Sequence, residues 1–222
     1  MIYLIGGPPR CGKSTLVRKM SKKFNIPYLT CDTLDSIVKA YTPTKDLPKK
    51  FPYSYLRRKG GARNNDEFYS TYSSSKIISV LKKEGEVVYP AIDMFLACEI
   101  ADQNDYILEG YHIMPQFADR MIKKYGKRNV KAVFLGKFDA EKFAKDVYKS
   151  TTPNDWLLLI TKKEETFVKV GKMVLEYSQQ IQKQAEKYSL KMFDMDEDFN
   201  KQINNVIKYL VIYAHSKQKI RK

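Results

Sequence analysis

Apolar residues along this chain follow two rhythms. Residues 2–5, Ile-Tyr-Leu-Ile, form an unbroken apolar, β-prone run closed by glycine, as a strand buried on both faces would. From Lys13 the period lengthens: Leu16, Val17, Met20 and Phe24 fall at helical spacing, with lysines on the other side. Short apolar runs recur at 26–31 (IPYLTC), 105–110 (DYILEG), 130–136 (VKAVFLG) and 188–196 (YSLKMFDMD). Helical patterns separate most of them, among them a long one carrying Phe167, Val170, Val174, Tyr177, Ile181, Ala185 and Tyr188 on one stripe. That stripe reads as core rather than as a seam for a partner. A final amphipathic helix runs through Phe199, Ile203, Val206, Ile207 and Leu210. Strands alternating with helices predict an α/β fold with a parallel sheet covered on both faces.

Residues 42–100 break the alternation. They open with turn chemistry (YTPTKDLPKKFPYSY) and a basic stretch (LRRKGGARNN). A helical run from about Asp66 to Lys83 follows, and a further apolar segment comes after Pro90. This is too long for a plain loop, so a small helical insertion is expected. A second distinctive region, 138–165, reads as a helix (DAEKFAKDVYKS) followed by a break at TTPND.

Between the first strand and first helix lies Gly7-Pro8-Pro9-Arg10-Cys11-Gly12-Lys13-Ser14-Thr15, which fits the phosphate-binding pattern G-x-x-x-x-G-K-[ST]. Glycines let the backbone curl so that successive N–H groups face an anion. The helix that follows adds its positive end. Lys13 supplies a mobile charge to the β- and γ-phosphates, and the Ser14 hydroxyl can ligate Mg²⁺. Nucleoside triphosphate binding follows, with residues 7–15 as the contact set. Ligands of such sheets sit beyond the carboxyl ends of the strands. Gly7–Lys13, Asp32, Glu109, Lys137 and Asp194–Asp196 are therefore expected around one cleft.

Composition adds a few bounds. The chain has 222 residues, enough for one domain with a substantial core, and a formal charge of +15. Lysine is spread along its length, with modest concentrations at 45–63, 123–131 and 215–222. The charge reads either as a coding bias, which also enriches Asn, Ile and Tyr, or as a nucleic-acid footprint, which gathering on one face would signal; in either case a surface of that sign draws anionic substrates. The three cysteines (Cys11, Cys31, Cys98) and two histidines show no metal-ligand spacing, so a reducing, cytoplasmic setting is expected. No run approaches the length of a membrane span.

The segments GGPPRCGKST, TCDTLDSI and YILEGYHIMP together resemble P-loop kinases of the nucleoside and small-molecule type, the adenylate-kinase-like group. The nearest resemblance is to 2-phosphoglycerate-kinase-like proteins, with zeta toxins and chloramphenicol phosphotransferase as relatives. It implies a three-layer αβα P-loop fold with a five-stranded parallel sheet, an acceptor-binding insertion after the second strand and a short lid after the fourth. It also implies ATP and Mg²⁺, transfer of the γ-phosphate to a hydroxyl or phosphate of a small anionic acceptor, and a monomer or homodimer. Asp32 matches the acid that takes the acceptor's proton, with Asp35 one turn on as a substitute. The alternative reading of Asp32 is a helix cap for TLDSIV, and the two roles can coexist. Glu109 matches the acid that holds Mg²⁺ or touches the acceptor, and His112 stands where it could touch the acceptor or be a plain loop histidine. Arg57, Arg58 and Arg63 are candidate contacts for an acceptor anion, or a solvated basic loop.

The chain departs from the family in two places. DTLDS lacks the arginine that often follows the strand-two acid. Nor is there an Arg between Arg128 and Arg221, so the lid must use Lys142, Lys145 and Lys149 or borrow Arg10 or Arg120. Two other readings stay open. A polynucleotide 5′-kinase uses the same loop and a strand-two Asp, and tyrosine-rich segments could stack bases, although no separate nucleic-acid domain is visible. A non-catalytic NTP-dependent switch would need no acceptor pocket.

Overall fold

Five short apolar segments pair side by side in the computed structural model, which describes residues 1–58, 64–150 and 155–211. They are β1 (Ile2–Gly6), β2 (Tyr28–Thr30), β3 (Tyr106–Glu109), β4 (Val130–Gly136) and β5 (Lys191–Asp194). Every pairing is parallel, in the order β2-β3-β1-β4-β5. The central β1 is buried at all five positions, which is why it carries no polar residue. Helix α1 (Lys13–Phe24) and the last helix, α11 (Phe199–Val211), cover one face of the sheet; α6 (Ser74–Ala101), α7 (Pro115–Tyr125) and α10 (Glu164–Lys187) cover the other. The fold is a three-layer α/β sandwich. No helix among the described residues is long and apolar enough to cross a membrane.

Strand register decides where chemistry can sit. Ile5 and Thr30 both stand opposite Glu109, Gly6 opposite Phe134, and Gly136 opposite Asp194. All five strands therefore end at nearly one level. The segments that leave them, starting at Gly7, Cys31, Gly110, Lys137 and Met195, emerge side by side.

The helical stretch between β2 and β3 is built differently from the expectation. After α2 (Cys31–Ala40), a 3₁₀ turn (Thr44–Asp46) leads to the short helices α3 (Leu47–Lys50), α4 (Pro52–Arg58) and α5 (Asn65–Thr71). The anticipated run from Asp66 is interrupted after Thr71, where Ser73 caps α6 by accepting from the Lys76 amide. Pro90 does not end α6, which runs on to Ala101. An interior proline costs about 3 kcal/mol, but Ile77, Leu81, Val88, Ile92 and Leu96 line one fully buried face along the whole helix. Tertiary burial overrides the local breaker, and α6 touches β1 as well as α2 and α4.

Helix α10 follows the sequence pattern closely. Phe167, Val170, Val174, Tyr177, Ile181 and Ala185 are all buried, and Gly171 lets the helix approach the backbone of Ala140 at the start of α8 (Ala140–Tyr148). Of the region after β4, residues 151–154 lie outside the described residues. Asp155 then caps the one-turn helix α9 (Trp156–Leu159) by accepting from the Leu157 amide.

Asp66 ties α5 to the start of α10. Its carboxylate accepts from the Lys162 and Lys163 amides (2.9 and 3.2 Å) and the Thr166 hydroxyl (2.6 Å). Burial pushes this carboxyl up, but the three donors hold it below the ordinary range. Its contribution is thus fully present above the unfolded carboxylate range and fades as pH falls through the folded value. Asp66→Ala is expected to lower the unfolding free energy by about 1–2 kcal/mol at neutral pH. In urea titrations the deficit should shrink in acid, as the wild type loses the same bonds.

Candidate functional site

The loop from β1 to α1 is curled by three residues of positive φ: Gly7 (139°), Arg10 (65°) and Gly12 (89°). Gly7 is required on two counts, because a Cβ there would also strike the Leu135 carbonyl of β4. Gly12 caps α1 in the left-handed region, so the first amides of α1 face the loop's hollow with no side-chain acceptor. Lys13 folds back across the loop, its Nζ donating to the Pro8 carbonyl at 2.7 Å while the residue is almost wholly buried. An ammonium has three donors, so this contact leaves capacity for an anion. Cys11 is sealed within the loop; burial, set against the nearby Lys13, pushes its thiol up to about 12. It stays protonated and is no nucleophile.

The Ser14 hydroxyl donates to Glu109 Oε1 at 2.8 Å, joining the start of α1 to the end of β3. One hydroxyl and one carboxylate form a sparse hard-oxygen set, and no group of three His, Cys, Asp or Glu side chains among the described residues could cage a metal. Such a set fits Mg²⁺, which keeps several waters and shares phosphate oxygens rather than entering an all-protein cage.

A cleft of about 1260 Å³ opens over these strand ends. Of the residues singled out from the sequence, Pro9, Arg10, Gly12, Lys13, Ser14 and Thr15 line it from the loop; Asp32, Asp35, Arg57, Arg58 and Glu109 line it from α2, α4 and the end of β3, and Lys142 and Lys149 come from α8 and its end. Gly7, Pro8 and Cys11 shape the loop from behind. Lys145 is not in the lining: it sits on the exposed face of α8, because the buried face is taken by Phe143, Ala144 and Val147. Arg63, His215 and the basic residues after 215 lie outside the described residues.

Asp32 stands in the first turn of α2, exposed toward the cleft. The cap position belongs to Thr30, and the Asp32 carboxylate makes no cap bond among the described residues; His112 Nδ1 lies 3.9 Å from it. Asp35 is buried one turn on, within a network invisible in sequence. Lys39 Nζ bonds Asp35, Ser54 Oγ (2.5 Å) and Glu84 Oε1 (2.8 Å), and Glu84 also accepts from the Ser54 amide and hydroxyl (2.9 and 2.6 Å). Burial pushes the Asp35 carboxyl up, but contacts with His112 and Lys39 hold it below the usual range. His112 does not reach the cleft surface; its ring is buried behind Asp32 and Asp35. Glu84 in LKKEGE reads as a surface charge, and only tertiary packing buries it. The Asp35–Lys39 spacing of four was the one signal available for Lys39.

The cations divide into paired and unpaired. Arg10, expected to lend charge to the transferring group, is held by buried Asp155 at 2.6 Å. Lys142 and Lys137 share Asp146 at 3.5 and 3.3 Å, and Lys137 also faces Asp196 at 4.0 Å. By contrast, Lys13 and Arg57 have no carboxylate partner among the described residues. The Arg57 guanidinium lies over the rings of Phe68 (4.7 Å) and Trp156 (5.9 Å), with Nη1 sealed from water and unbonded. Arg120 lies elsewhere, over Tyr89 and Phe117 beside a separate cavity of about 690 Å³ between α6, α7 and α10.

No protein-family model and no curated protein matches the chain. Solved structures do overlay it. Shikimate kinase from Bacteroides thetaiotaomicron is 17% identical, with a TM-score of 0.47 over 97% of this chain and 98% of that one. The YorR protein of Bacillus subtilis, in complex with phosphorylated GDP, is 14% identical, with a TM-score of 0.46 over 97% and 98%. Shikimate kinase from Aquifex aeolicus gives 15% and 0.40 over 96% and 98%. Overlaps this loose leave activity and substrate to be read from the site itself.

Lys39→Met removes the only ion-pair partner of buried Glu84 among the described residues. Breaking such a pair costs about 3 kcal/mol, and the Glu84→Gln, Lys39→Met double variant should recover part of that loss in the same unfolding assay.

Proposed function

We propose that this chain is an ATP-dependent phosphotransferase that moves the γ-phosphoryl group to a hydroxyl or phosphate of a small anionic molecule. The observation that carries the reading is one cleft holding two complementary halves. A curled loop with Lys13 and the Ser14–Glu109 pair forms one; exposed Asp32 and Arg57, which has no carboxylate partner among the described residues, form the other.

Polyphosphate binds the loop amides and the N-terminal end of α1, and Lys13 exchanges part of its bonding to Pro8 for phosphate oxygens. Ser14 and Glu109 would hold Mg²⁺, which supplies charge neutralisation on the phosphate oxygens when bound. Asp32 accepts the acceptor's proton on a carboxylate oxygen as the acceptor oxygen bonds phosphorus and the bond to ADP breaks. Most of the rate gain is positioning and electrostatics, so the two halves must face each other across an excluded volume. Arg57 supports an anionic acceptor: it lines the cleft, has no carboxylate partner among the described residues, and its aromatic neighbours fix the fork's plane. Lys142 and Lys149 stand on the lid side as point charges, and Lys142 is tempered by Asp146.

Lys13→Ala should abolish phosphoryl transfer in an ATP-consumption screen across nucleotides, sugars, hydroxy acids and 5′-hydroxyl oligonucleotides. Asp32→Asn should leave nucleotide affinity unchanged by calorimetry while lowering turnover by about 10²-fold or more; an unchanged rate removes Asp32 as the base. Arg57→Ala should raise the acceptor's KM by at least about tenfold, with little effect on the KM for ATP. An equal effect on both would place the acceptor elsewhere.

A further inference from the structure

Behind Asp32 and Asp35, three buried polar atoms have no hydrogen-bond partner among the described residues: His112 Nδ1, His112 Nε2 and Asp35 Oδ1. The imidazole lies between two carboxylates of one helix. Nδ1 is 3.9 Å from Asp32 Oδ1, and Nε2 is 3.9 Å from Asp35 Oδ1. The histidine side chain is fully buried, whereas that of Asp32 is 75% exposed. Leaving such a ring unbonded in a dry site is costly. Both contacts are about 1 Å beyond hydrogen-bond range, a gap that side-chain rotation of Asp32 and a small shift of α2 can close.

The ring's surroundings set its orientation. Tyr111 stacks on it (centroids 3.9 Å apart, planes at 27°), and Gly85 of α6 packs against its backbone. From α2 it faces Asp32 and Asp35, with Cys31 beside it near Gly110. Beyond Asp35 lie Lys39 and Glu84, whose charges offset each other. Asp35 is an ionised acceptor anchored by Lys39, so the nitrogen facing it carries the proton. In its neutral form such a ring presents a lone pair from Nδ1 to Asp32. A carboxylate has nothing to donate there, and in the structure the Asp32 side chain is exposed to the cleft.

We propose that His112 is a positioning residue for Asp32, receiving through it the proton released by the acceptor. This rests on the phosphotransferase reading above. The acceptor O–H bond breaks, its electron pair forms the bond to phosphorus, and the bond from phosphorus to the ADP oxygen breaks. The proton goes to Asp32, which as a neutral acid donates to Nδ1; transfer to Nδ1 restores the Asp32 carboxylate. The resulting imidazolium lies between two carboxylates, and Asp35 has the orienting role.

The chain has two histidines, His112 and His215, so long-range ¹H–¹⁵N spectra of the full chain can assign the tautomer at a pH where the ring is neutral. The expected result is Nε2–H in the wild type, lost or mixed in Asp35→Ala. With Mg-ATP and water as the acceptor, His112→Gln should lower kcat roughly tenfold to hundredfold with KM for ATP unchanged. The same change in an Asp32→Asn background should have no further effect. An Nδ1–H tautomer in the wild type, an unaltered kcat, or additive losses would each overturn the proposal. The wild-type spectrum decides even where a variant fails to fold. If the wild type binds no Mg-ATP, the phosphotransferase reading goes and takes this role with it; bound nucleotide with the wrong tautomer removes the histidine's role alone.

Discussion

One hydrogen bond organises the site: Ser14 to Glu109, between the first turn of α1 and the tip of β3. It can form only because Ile5 stands opposite Glu109 in the sheet. A one-residue slip would turn the Glu109 side chain to the opposite face. The register thus fixes, through a single contact, the distance between the β1–α1 loop and the acidic edge. Asp32 inherits its position the same way, since Thr30 is level with Glu109 and the chain enters α2 at once.

The two halves of the cleft are held by different physics. The loop side relies on backbone conformation, with three residues of positive φ and a lysine folded onto a carbonyl. The side formed by α2, α4 and α6 relies on buried charge. Lys39 bridges buried Glu84 and Asp35, and contacts with His112 and Lys39 hold the Asp35 carboxyl below its usual range. Such a network stabilises little on balance, but it rigidly orients whatever borders it. Arg57 is the complementary case: aromatic rings hold the cation in place without neutralising it.

The elements whose pattern is local were legible in the sequence. The β1–loop–α1 unit, the five strands and α10 all follow from period and glycine placement. The parallel sheet follows from strands alternating with helices. What escaped was set by tertiary context. Pro90 reads as a break, yet it lies inside a helix whose apolar face is buried from end to end. Glu84 and Lys39 look like solvent-facing charges until three helices close over them. Arg10 looks free to act, but Asp155, some 145 positions away in sequence, takes it up. Among the described residues Arg57 has no carboxylate partner and the His112 ring no hydrogen bond, and no spacing rule encodes either.

The three thiols are unequal in a useful way. Cys11 and Cys31 are enclosed in protein, and burial pushes both well above the ordinary thiol range, whereas Cys98 lies exposed near the end of α6. A maleimide dye would accordingly attach at a single place, remote from the strand tips. The native chain carries its own labelling handle for fluorescence, with no cysteine to engineer away.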